Sequence, residues 1–292
     1  DRIPFTLPLS GDKPGGLTYE QILKRNIKAY MQSVGLSEAI TYSLTNKDDV
    51  KKLISPELDK AYNPISLSMP MSEDHQYLRL SLLPELLNRL TYNVARKQAN
   101  VALYEIGSIF LSEEETLTKQ PKEHPRLAGA ITGTWVDHKW QQEVKPVDFF
   151  VVKGIVEGLF RYLNIEETYE QAVIDDMHPG RCAKILVNGK TVGFLGQIHP
   201  NLAKEKDLKE TYVFDIDVEY LLEIEKVGAP LVKHVEAFDV YTGENVGEDE
   251  KSVAYNIHFQ DPEKTLTDEE VDASFKEIVE VLGEKFGASV RS

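Results

Sequence analysis

The feature that most constrains the fold is an Asn-Gly pair at Asn188 and Gly189, which separates two apolar runs, CAKILVN and TVGFLGQ. Both central residues of a tight hairpin turn adopt positive φ, and Asn followed by Gly accepts that geometry best. The pair therefore predicts two antiparallel strands joined by a short turn. Pro200 then predicts the start of a short helix, and TYVFDIDV (residues 211–218) predicts a further strand.

Helix signals lie on the amino-terminal side of this hairpin. Thr18, followed by Gln21 three residues later, forms a capping-box pattern, and Gly35 ends the apolar periodicity that follows. A second amphipathic helix is predicted to begin near Ser81, and a well-buried helix is predicted at 148–163. The side of the second helix opposite its leucine stripe carries three basic residues, Arg89, Arg96 and Lys97.

Three more strands are predicted from alternating or continuous apolar runs. They cover residues 38–44, 101–111 and 126–135, and the first would place Ile40, Tyr42 and Leu44 on one face. The regular strand–helix–strand alternation of parallel sheets is missing. The sequence therefore predicts an α+β fold, in which helices pack against a largely antiparallel sheet.

Size and charge limit the possible partners. A length of 292 residues suits about two domains. The net charge is −15, so a general electrostatic attraction to nucleic acid is not expected, and any RNA contact should be local or shared with a more basic partner.

No apolar run approaches the roughly 20 residues that span a membrane. The lone cysteine, Cys182, suits a reducing compartment and rules out an intramolecular disulfide.

Catalytic and metal-binding patterns are weak in this sequence. His178 and His199 flank the hairpin, but each precedes a proline and no further ligand stands at metal-binding spacing, so a structural role is expected and no metal site is assigned. GFLGQ does not match a dinucleotide fingerprint, and no phosphate-binding loop or nucleophile elbow occurs. Cys182 is predicted to lie within a strand. We therefore expect no catalytic residues in this chain.

The last 64 residues form a separate predicted unit of strands and a helix capped at Thr267. Alternation places Asp239 and Tyr241 on one strand face, and Ser252 belongs to the matching face of the next strand. An aromatic ring beside carboxylate and hydroxyl groups could stack on an RNA base and bind its edge. The alternative is an ordinary solvent-facing strand surface. This unit has six basic and fifteen acidic side chains, so phosphate contacts alone could not hold RNA.

Several longer stretches of the sequence resemble a single protein family. They run in the family's order along nearly the whole chain: DRIPFTLP with GGLT, GLSEAITYSLT, LRLSLLPELL, LYEIGSIF, DFFVVKGIVEGL, HPGRCAKILVNGKTVGFLGQIHP and FDVYTGENVGEDEKSVAYNIHFQDPEKTLTDEEV. On these phrases the chain resembles the carboxy-terminal part of the bacterial phenylalanyl-tRNA synthetase β subunit.

The resemblance implies three segments. Residues 1–17 are expected to be a connector from an upstream domain, so that we expect this sequence to be a fragment. Residues 18–226 are a non-catalytic copy of the class II synthetase core. Residues 229–292 are a ferredoxin-fold anticodon-binding domain that lacks its first strand and helix. We expect that segment to be omitted from the sequence rather than deleted from the protein.

The resemblance also implies the partners and the binding residues. The family works as an α2β2 tetramer in the cytoplasm, and its α subunit uses ATP and Mg²⁺ to attach phenylalanine to tRNA(Phe). We expect neither cofactor to bind to this chain. Asp239, Tyr241 and Ser252 match positions that contact the anticodon. The class II motif G-x-G-x-x-x-R is missing, and GFLGQIHPN has no arginine where a third class II motif would lie.

Two alternatives remain. The chain could be an assembly module without an RNA role, as its acidic charge allows. It could instead be a divergent, active class II ligase, which would need a convergent pair of arginines in a pocket. Arg79 and Arg126 are the candidates for such a pair.

Overall fold

A computed structural model describes residues 15–114, 117–222, 232–241, 252–259 and 266–286. The chain divides into two compact units, Asp1–Leu222 and Glu223–Ser292, and each is described by itself. No helix in the described ranges has the length and hydropathy needed to cross a bilayer.

The first unit is built on a seven-stranded sheet. Its spatial order is β1-β4-β5-β11-β10-β9-β8, and every neighbouring pair is antiparallel except β1 with β4. The strands are β1 (Ser37–Glu38), β4 (Val101–Leu111), β5 (Lys122–Thr132), β8 (Thr168–Gln171), β9 (Met177–Val187), β10 (Lys190–Ile198) and β11 (Thr211–Asp217). Two smaller ladders accompany the sheet: β2 (Leu44–Thr45) pairs with β3 (Tyr77–Leu78), and β6 (Thr134–His138) pairs with β7 (Glu143–Pro146).

The predicted hairpin forms the connection between β9 and β10. Asn188 and Gly189 are the two loop residues, with φ of 50° and 74°. Positive φ at both positions is the geometry that matches the twist of the flanking strands. The prediction from the Asn-Gly pair is confirmed.

Helices cover the sheet on both faces. They are α1 (Tyr19–Ser33), α2 (Pro56–Ala61), α3 (Leu83–Ala95), α4 (Phe149–Tyr162), α5 (Pro200–Glu205) and α6 (residues 218–222), with a 3₁₀ turn at Glu73–His75. The α3 leucines share a buried cluster with Ala128, Ala130 and Val213. Leu127 and Phe214 alternate with those residues along their strands and are buried on the opposite face. On the sheet, α4 packs on β10 and β11.

Local sequence signals place most helix ends correctly. Thr18 and Gln21 form the predicted capping box at the start of α1, and Gly35, with φ of 92°, follows its end. Pro200 is the first residue of α5, as predicted. The helix predicted from Ser81 begins at Leu83, and Ser81 Oγ accepts a hydrogen bond from the Leu83 N–H at 3.2 Å.

The continuous strand predicted at 38–44 is wrong. Glu38 pairs with Tyr104 in the large sheet, whereas Leu44 pairs with Leu78 in a separate ladder. The intervening residues leave one sheet before they join the other, so Ile40 and Tyr42 are exposed to solvent. The alternating apolar residues therefore do not form one strand of the core, and two of them, Ile40 and Tyr42, belong to the protein surface.

The strand predicted at 126–135 is displaced. β5 begins earlier, at Lys122, and ends at Thr132, because Gly133 with φ of 90° breaks the strand before β6 starts. A Cβ on Gly133 would collide with the Ala99 carbonyl oxygen and with Asn100. A glycine is therefore required where the chain turns from the large sheet into the β6–β7 hairpin.

The second unit contains β12 (Val232–Tyr241), β13 (Ser252–Phe259) and α7 (Asp268–Phe286). The two strands are antiparallel. Thr267 caps α7 as predicted: its Oγ1 accepts from the Glu270 N–H at 3.4 Å, and a Glu270 carboxylate oxygen accepts from the Thr267 N–H at 3.1 Å. The short strand considered for ASVRS lies outside the described residues.

Candidate functional site

The three predicted anticodon-binding residues lie together on the β12–β13 ladder. Tyr241 and Ser252 are direct cross-strand partners, and Asp239, two residues before Tyr241, pairs with Ala254. Directly opposed residues in an antiparallel pair have Cα atoms about 4.5–5.5 Å apart. The backbone therefore brings the three positions to one end of the ladder.

A register shift precedes this group. Ala237 pairs with Tyr255 and Asp239 pairs with Ala254, so Phe238 is an additional residue on β12. A β-bulge of this kind bends the strand and increases its local twist. No sequence pattern predicted this bulge, which sets the alignment of Asp239 and Tyr241 with β13.

Arg79, one of the two arginines considered for an active site, is committed to groups of its own chain. Its Nη1 lies 2.9 Å from Glu105 Oε1 and 3.0 Å from Thr41 Oγ1, and its Nε donates to the Ser108 carbonyl at 2.9 Å. Thr41 also donates to Glu105 Oε2 at 2.6 Å. Arg79 is 4% exposed and Glu105 is 3% exposed. This geometry neutralises the guanidinium internally.

A glycine makes room for this ion pair. A Cβ added to Gly107 would meet both the Arg79 Nη2 atom and a Glu105 carboxylate oxygen. Gly107 lies between Glu105 and Ser108 on β4, inside the stretch LYEIGSIF. Its missing side chain thus allows the arginine to cross the strand and reach the Ser108 carbonyl.

Arg126, the second candidate arginine, is also paired with carboxylates. Its Nε donates to Asp215 Oδ1 at 2.7 Å, its Nη2 contacts the same oxygen, and its Nη1 lies 3.5 Å from Asp217 Oδ2. Burial raises the pKa of the Asp215 carboxyl, an effect that the adjacent Arg126 cation opposes. The arginine and both aspartates come from the neighbouring strands β5 and β11.

This charge ladder continues to the end of the two strands. His124 Nε2 lies 3.0 Å from Asp217 Oδ2, and Lys122 Nζ lies 2.9 Å from Glu219 Oε2. Glu219 Oε2 is also 2.6 Å from His124 Nδ1, although not in hydrogen-bond geometry. These paired charges were not predicted from the sequence. Charged residues at alternate positions of KEHPR and FDID, each within a predicted strand, were the available signal.

The two histidines beside the hairpin have local structural partners, as predicted. His178 Nδ1 accepts from the Gly180 N–H, and His199 Nδ1 accepts from the Asn201 N–H, both at 3.1 Å. His199 is the N-cap residue of α5. Throughout the described ranges, no group of three or more His, Cys, Asp or Glu side chains is placed to hold a metal ion.

Large apolar side chains are exposed on two adjoining segments of the first unit. Ile40, Tyr42, Met69 and Met71, here called the apolar ridge, are between 71% and 95% exposed. The Tyr42 ring packs edge-on against His75, with centroids 5.2 Å apart, which joins the two segments. Beneath the ridge, the Tyr42 carbonyl accepts from Arg79 Nη1 at 3.3 Å. The buried ion pair is therefore linked to the backbone of the ridge at Tyr42.

Comparison with known proteins decides the family. Residues 3–218 match the family model described as the phenylalanyl tRNA synthetase beta chain CLM domain, and residues 203–291 match the ferredoxin-fold anticodon binding domain. The chain belongs to the phenylalanyl-tRNA synthetase β-chain family. The family to which the sequence was found similar is therefore confirmed.

Curated relatives agree with this assignment. Three proteins named phenylalanine–tRNA ligase beta subunit, from Oceanobacillus iheyensis, Halalkalibacterium halodurans and Bacillus subtilis, are 48%, 45% and 42% identical over 330 aligned positions. The alignments cover this whole chain and 41%, 41% and 40% of the relatives, so the chain spans about two fifths of their length. The aligned length exceeds this chain by 38 positions, so the relatives contain residues that this sequence lacks.

Solved structures support the fold. Two structures of the Desulfitobacterium hafniense pyrrolysyl-tRNA synthetase each match 71% of the chain with a TM-score of 0.51. The matches cover 66% and 70% of those chains at 13% and 14% identity. The predicted fold class is confirmed: an α+β protein with a synthetase-like, mostly antiparallel sheet and a ferredoxin-fold anticodon-binding domain.

Proposed function

We propose that this chain is the non-catalytic β-subunit portion of phenylalanine–tRNA ligase, that it supports the α subunit during ATP-dependent attachment of phenylalanine to tRNA(Phe), and that it contacts the anticodon. The match of both family models along the chain carries this proposal. Assembly as an α2β2 tetramer and a location in the cytoplasm, beside the other components of translation, belong to the same proposal.

The pairing of the two arginines supports the non-catalytic assignment. Arg79 and Arg126 each lie beside a buried carboxylate, so neither offers an unpaired positive charge to an ATP phosphate. The described residues also lack a cluster suited to Mg²⁺. We therefore propose that ATP and Mg²⁺ bind to the α subunit. This argues against the divergent-ligase alternative.

Anticodon contact is proposed for Asp239, Tyr241 and Ser252. An aromatic ring can stack on an unpaired base, a carboxylate can accept hydrogen bonds from a base edge, and a hydroxyl can donate or accept one. The adjacency of the three positions on the β12–β13 ladder supports this combination. Because this unit is acidic, base contacts rather than phosphate contacts should dominate its RNA binding.

Association with the α subunit is supported by the apolar ridge. None of Ile40, Tyr42, Met69 and Met71 carries a charge, and all four are exposed. Aromatic residues and methionine are enriched in protein interfaces, and apolar patches exposed on one chain commonly mark such contacts. The ridge is therefore suited to burial against another protein chain.

Two measurements on the assembled ligase test the proposal. Tyr241→Ala should raise the Kd for tRNA(Phe) about five- to a hundredfold at fixed salt, since stacking on a base contributes about 1–3 kcal/mol. Tyr241→Phe keeps the ring and should retain most of the affinity. An unchanged Kd for Tyr241→Ala would favour an assembly module without an RNA role.

The second measurement concerns catalysis. This chain alone should form no phenylalanyl-adenylate, whereas the complex with the α subunit should form it. Adenylate formation by the isolated chain would overturn the non-catalytic assignment.

A further inference from the structure

The carboxy-terminal part of α3 and the two residues that follow it are basic in an otherwise acidic chain. Arg89, Tyr92 and Arg96 follow one another at helical spacing, and Lys97 comes directly after them. Arg89, Arg96 and Lys97 are exposed and Tyr92 is half-exposed. From residue 86 to residue 104 the sequence contains no carboxylate, although acidic residues outnumber basic ones 48 to 33 in the whole chain.

An arginine and an aromatic ring are stacked at the carboxy-terminal end of α3. The Arg96 guanidinium carbon lies 3.3 Å from the centroid of the Tyr92 ring, and Arg96 Nη1 donates to the Tyr92 carbonyl at 3.1 Å. Stacking orients the guanidinium while several N–H donors remain for another acceptor. In the described part of the chain, no carboxylate lies within ion-pair distance of Arg96 or Lys97, whereas Arg89 is 3.8 Å from Glu85.

The β6–β7 hairpin starts beside Ala99 and Asn100, in the short segment that links α3 to β4. The Thr134 N–H donates to Asn100 Oδ1 at 2.9 Å, and Gly133 lies against the Ala99 carbonyl. The hairpin then extends over two short strands to the loop 139–142, where Lys139 precedes Trp140. Trp140 is 97% exposed. An indole ring exposed to this extent is free to stack on an unpaired base.

We propose that these residues form a second RNA-binding surface: Arg89 and Tyr92 of α3, Arg96 and Lys97 directly after its end, and Lys139 and Trp140 of the hairpin. The cations bind the sugar–phosphate backbone and the Trp140 ring stacks on an unpaired base. This inference rests on the proposed function, because it takes the RNA to be the tRNA that the ligase charges. It adds a contact on the first unit to the anticodon contact of the second.

Charge and chemistry favour RNA over a protein partner for this surface. RNA backbones are recognised by arginine and lysine together with amide side chains, and Asn93, Gln98 and Asn100 stand beside the basic residues. Single-stranded bases stack on exposed aromatic rings. The apolar ridge, by contrast, carries no charge, which is the composition expected of a protein interface core.

The test measures the Kd of the assembled ligase for tRNA at KCl concentrations between 50 and 200 mM. Over this range, the loss of about two phosphate contacts changes the salt dependence of the Kd enough to be measured. Arg96→Gln with Lys97→Gln should raise the Kd and lower the slope of log Kd against log[KCl] by about 1–2, since each phosphate contact contributes about 0.7–0.9. The matched control is Lys24→Gln with Lys51→Gln. It removes the same charge from two lysines that already pair with Glu20 and Asp59, and it should leave the slope unchanged.

A second pair of variants tests the stacking. Trp140→Ala should raise the Kd about five- to a hundredfold, and Trp140→Phe should restore most of the affinity. If these variants and the Arg96 and Lys97 double variant leave both Kd and slope unchanged while Tyr241→Ala weakens binding, the second surface is refuted and the proposed function stands. If Trp140→Ala instead releases the α subunit without changing tRNA affinity, the hairpin binds protein and the inference is overturned. If the parent ligase binds no tRNA, the proposed function itself fails.

Discussion

Arg79 Nη1 and Glu105 Oε1 lie 2.9 Å apart beneath an exposed apolar surface, and both side chains are buried. Thr41 bonds to both partners, so the ion pair is linked to the segment that displays Ile40 and Tyr42. A buried charge without its partner is costly, which makes this pair sensitive to any change on either side. The pair is linked to the backbone of the ridge at Tyr42 and removes an arginine from the set of potential ATP ligands.

Glu105→Gln should therefore destabilise the first unit by about 3–5 kcal/mol, because Arg79 would keep its charge without a carboxylate beside it. Urea unfolding followed by tryptophan fluorescence measures this, since both tryptophans, Trp135 and Trp140, belong to the first unit. Adding Arg79→Met to Glu105→Gln should recover part of the loss. Glu73→Gln, at an exposed 3₁₀ turn, is the control. A loss below about 1 kcal/mol would contradict this account of the pair.

The stability of the first unit should fall in acid partly through Asp217. Burial acts to raise the pKa of this carboxyl, but the hydrogen bond from His124 and the charge of Arg126 outweigh it, so the pKa is lowered. A lowered pKa in the folded state stabilises the protein above the unfolded value of about 3.9, and that contribution is lost as the pH falls through the folded value.

Asp217→Asn should consequently be less stable than the parent at pH 7, and its stability should fall less steeply below about pH 4. Urea midpoints between pH 7 and pH 3 report both effects. Asp59→Asn removes an exposed carboxylate that pairs with Lys51 and provides a charge-matched control. If the unfolding stability of Asp217→Asn falls with decreasing pH as steeply as that of the parent, Asp217 does not contribute to the loss of stability in acid.

Cys182 should be unreactive in the folded protein. It is buried on β9, and burial raises the pKa of its thiol to about 11, so little thiolate exists near neutral pH. Alkylation at pH 8, followed by mass spectrometry, should label the unfolded chain quickly and the folded chain at least tenfold more slowly. Equal rates in both states would mean that the thiol is accessible.

Gly193 should not tolerate a side chain. A Cβ on this β10 residue would collide with the Asp215 carbonyl oxygen and with Ile216 Cα on β11. Gly193→Ala should therefore lower the free energy of unfolding by about 1–3 kcal/mol, because the two strands must move apart. Gly154→Ala is the matched control, because Gly154 lies on α4 with open space around it. That control should gain about 0.5–1 kcal/mol, as alanine favours a helix. Similar unfolding midpoints for the two variants would contradict the close approach of β10 and β11.

Short-range chemistry explains why much of the fold could be predicted. The Asn188-Gly189 turn, the Thr18 and Thr267 capping boxes and the Pro200 helix start each depend on residues within four positions of one another. Backbone preferences and local hydrogen bonds act over that distance, so the sequence alone reveals them. The same reasoning failed at 38–44, where the two ends of one apolar run pair with different partners.

By itself, the sequence determined the hairpin, the helix caps, the α+β class and the phrases that identify the family. Tertiary structure alone decided that Arg79 meets Glu105, 26 residues away, and that Arg126 meets Asp215, 89 residues away. It also decided that Ile40 and Tyr42 face solvent instead of the core. The physical reason is that ion pairing and burial depend on which distant strands become neighbours, and no local pattern specifies that choice.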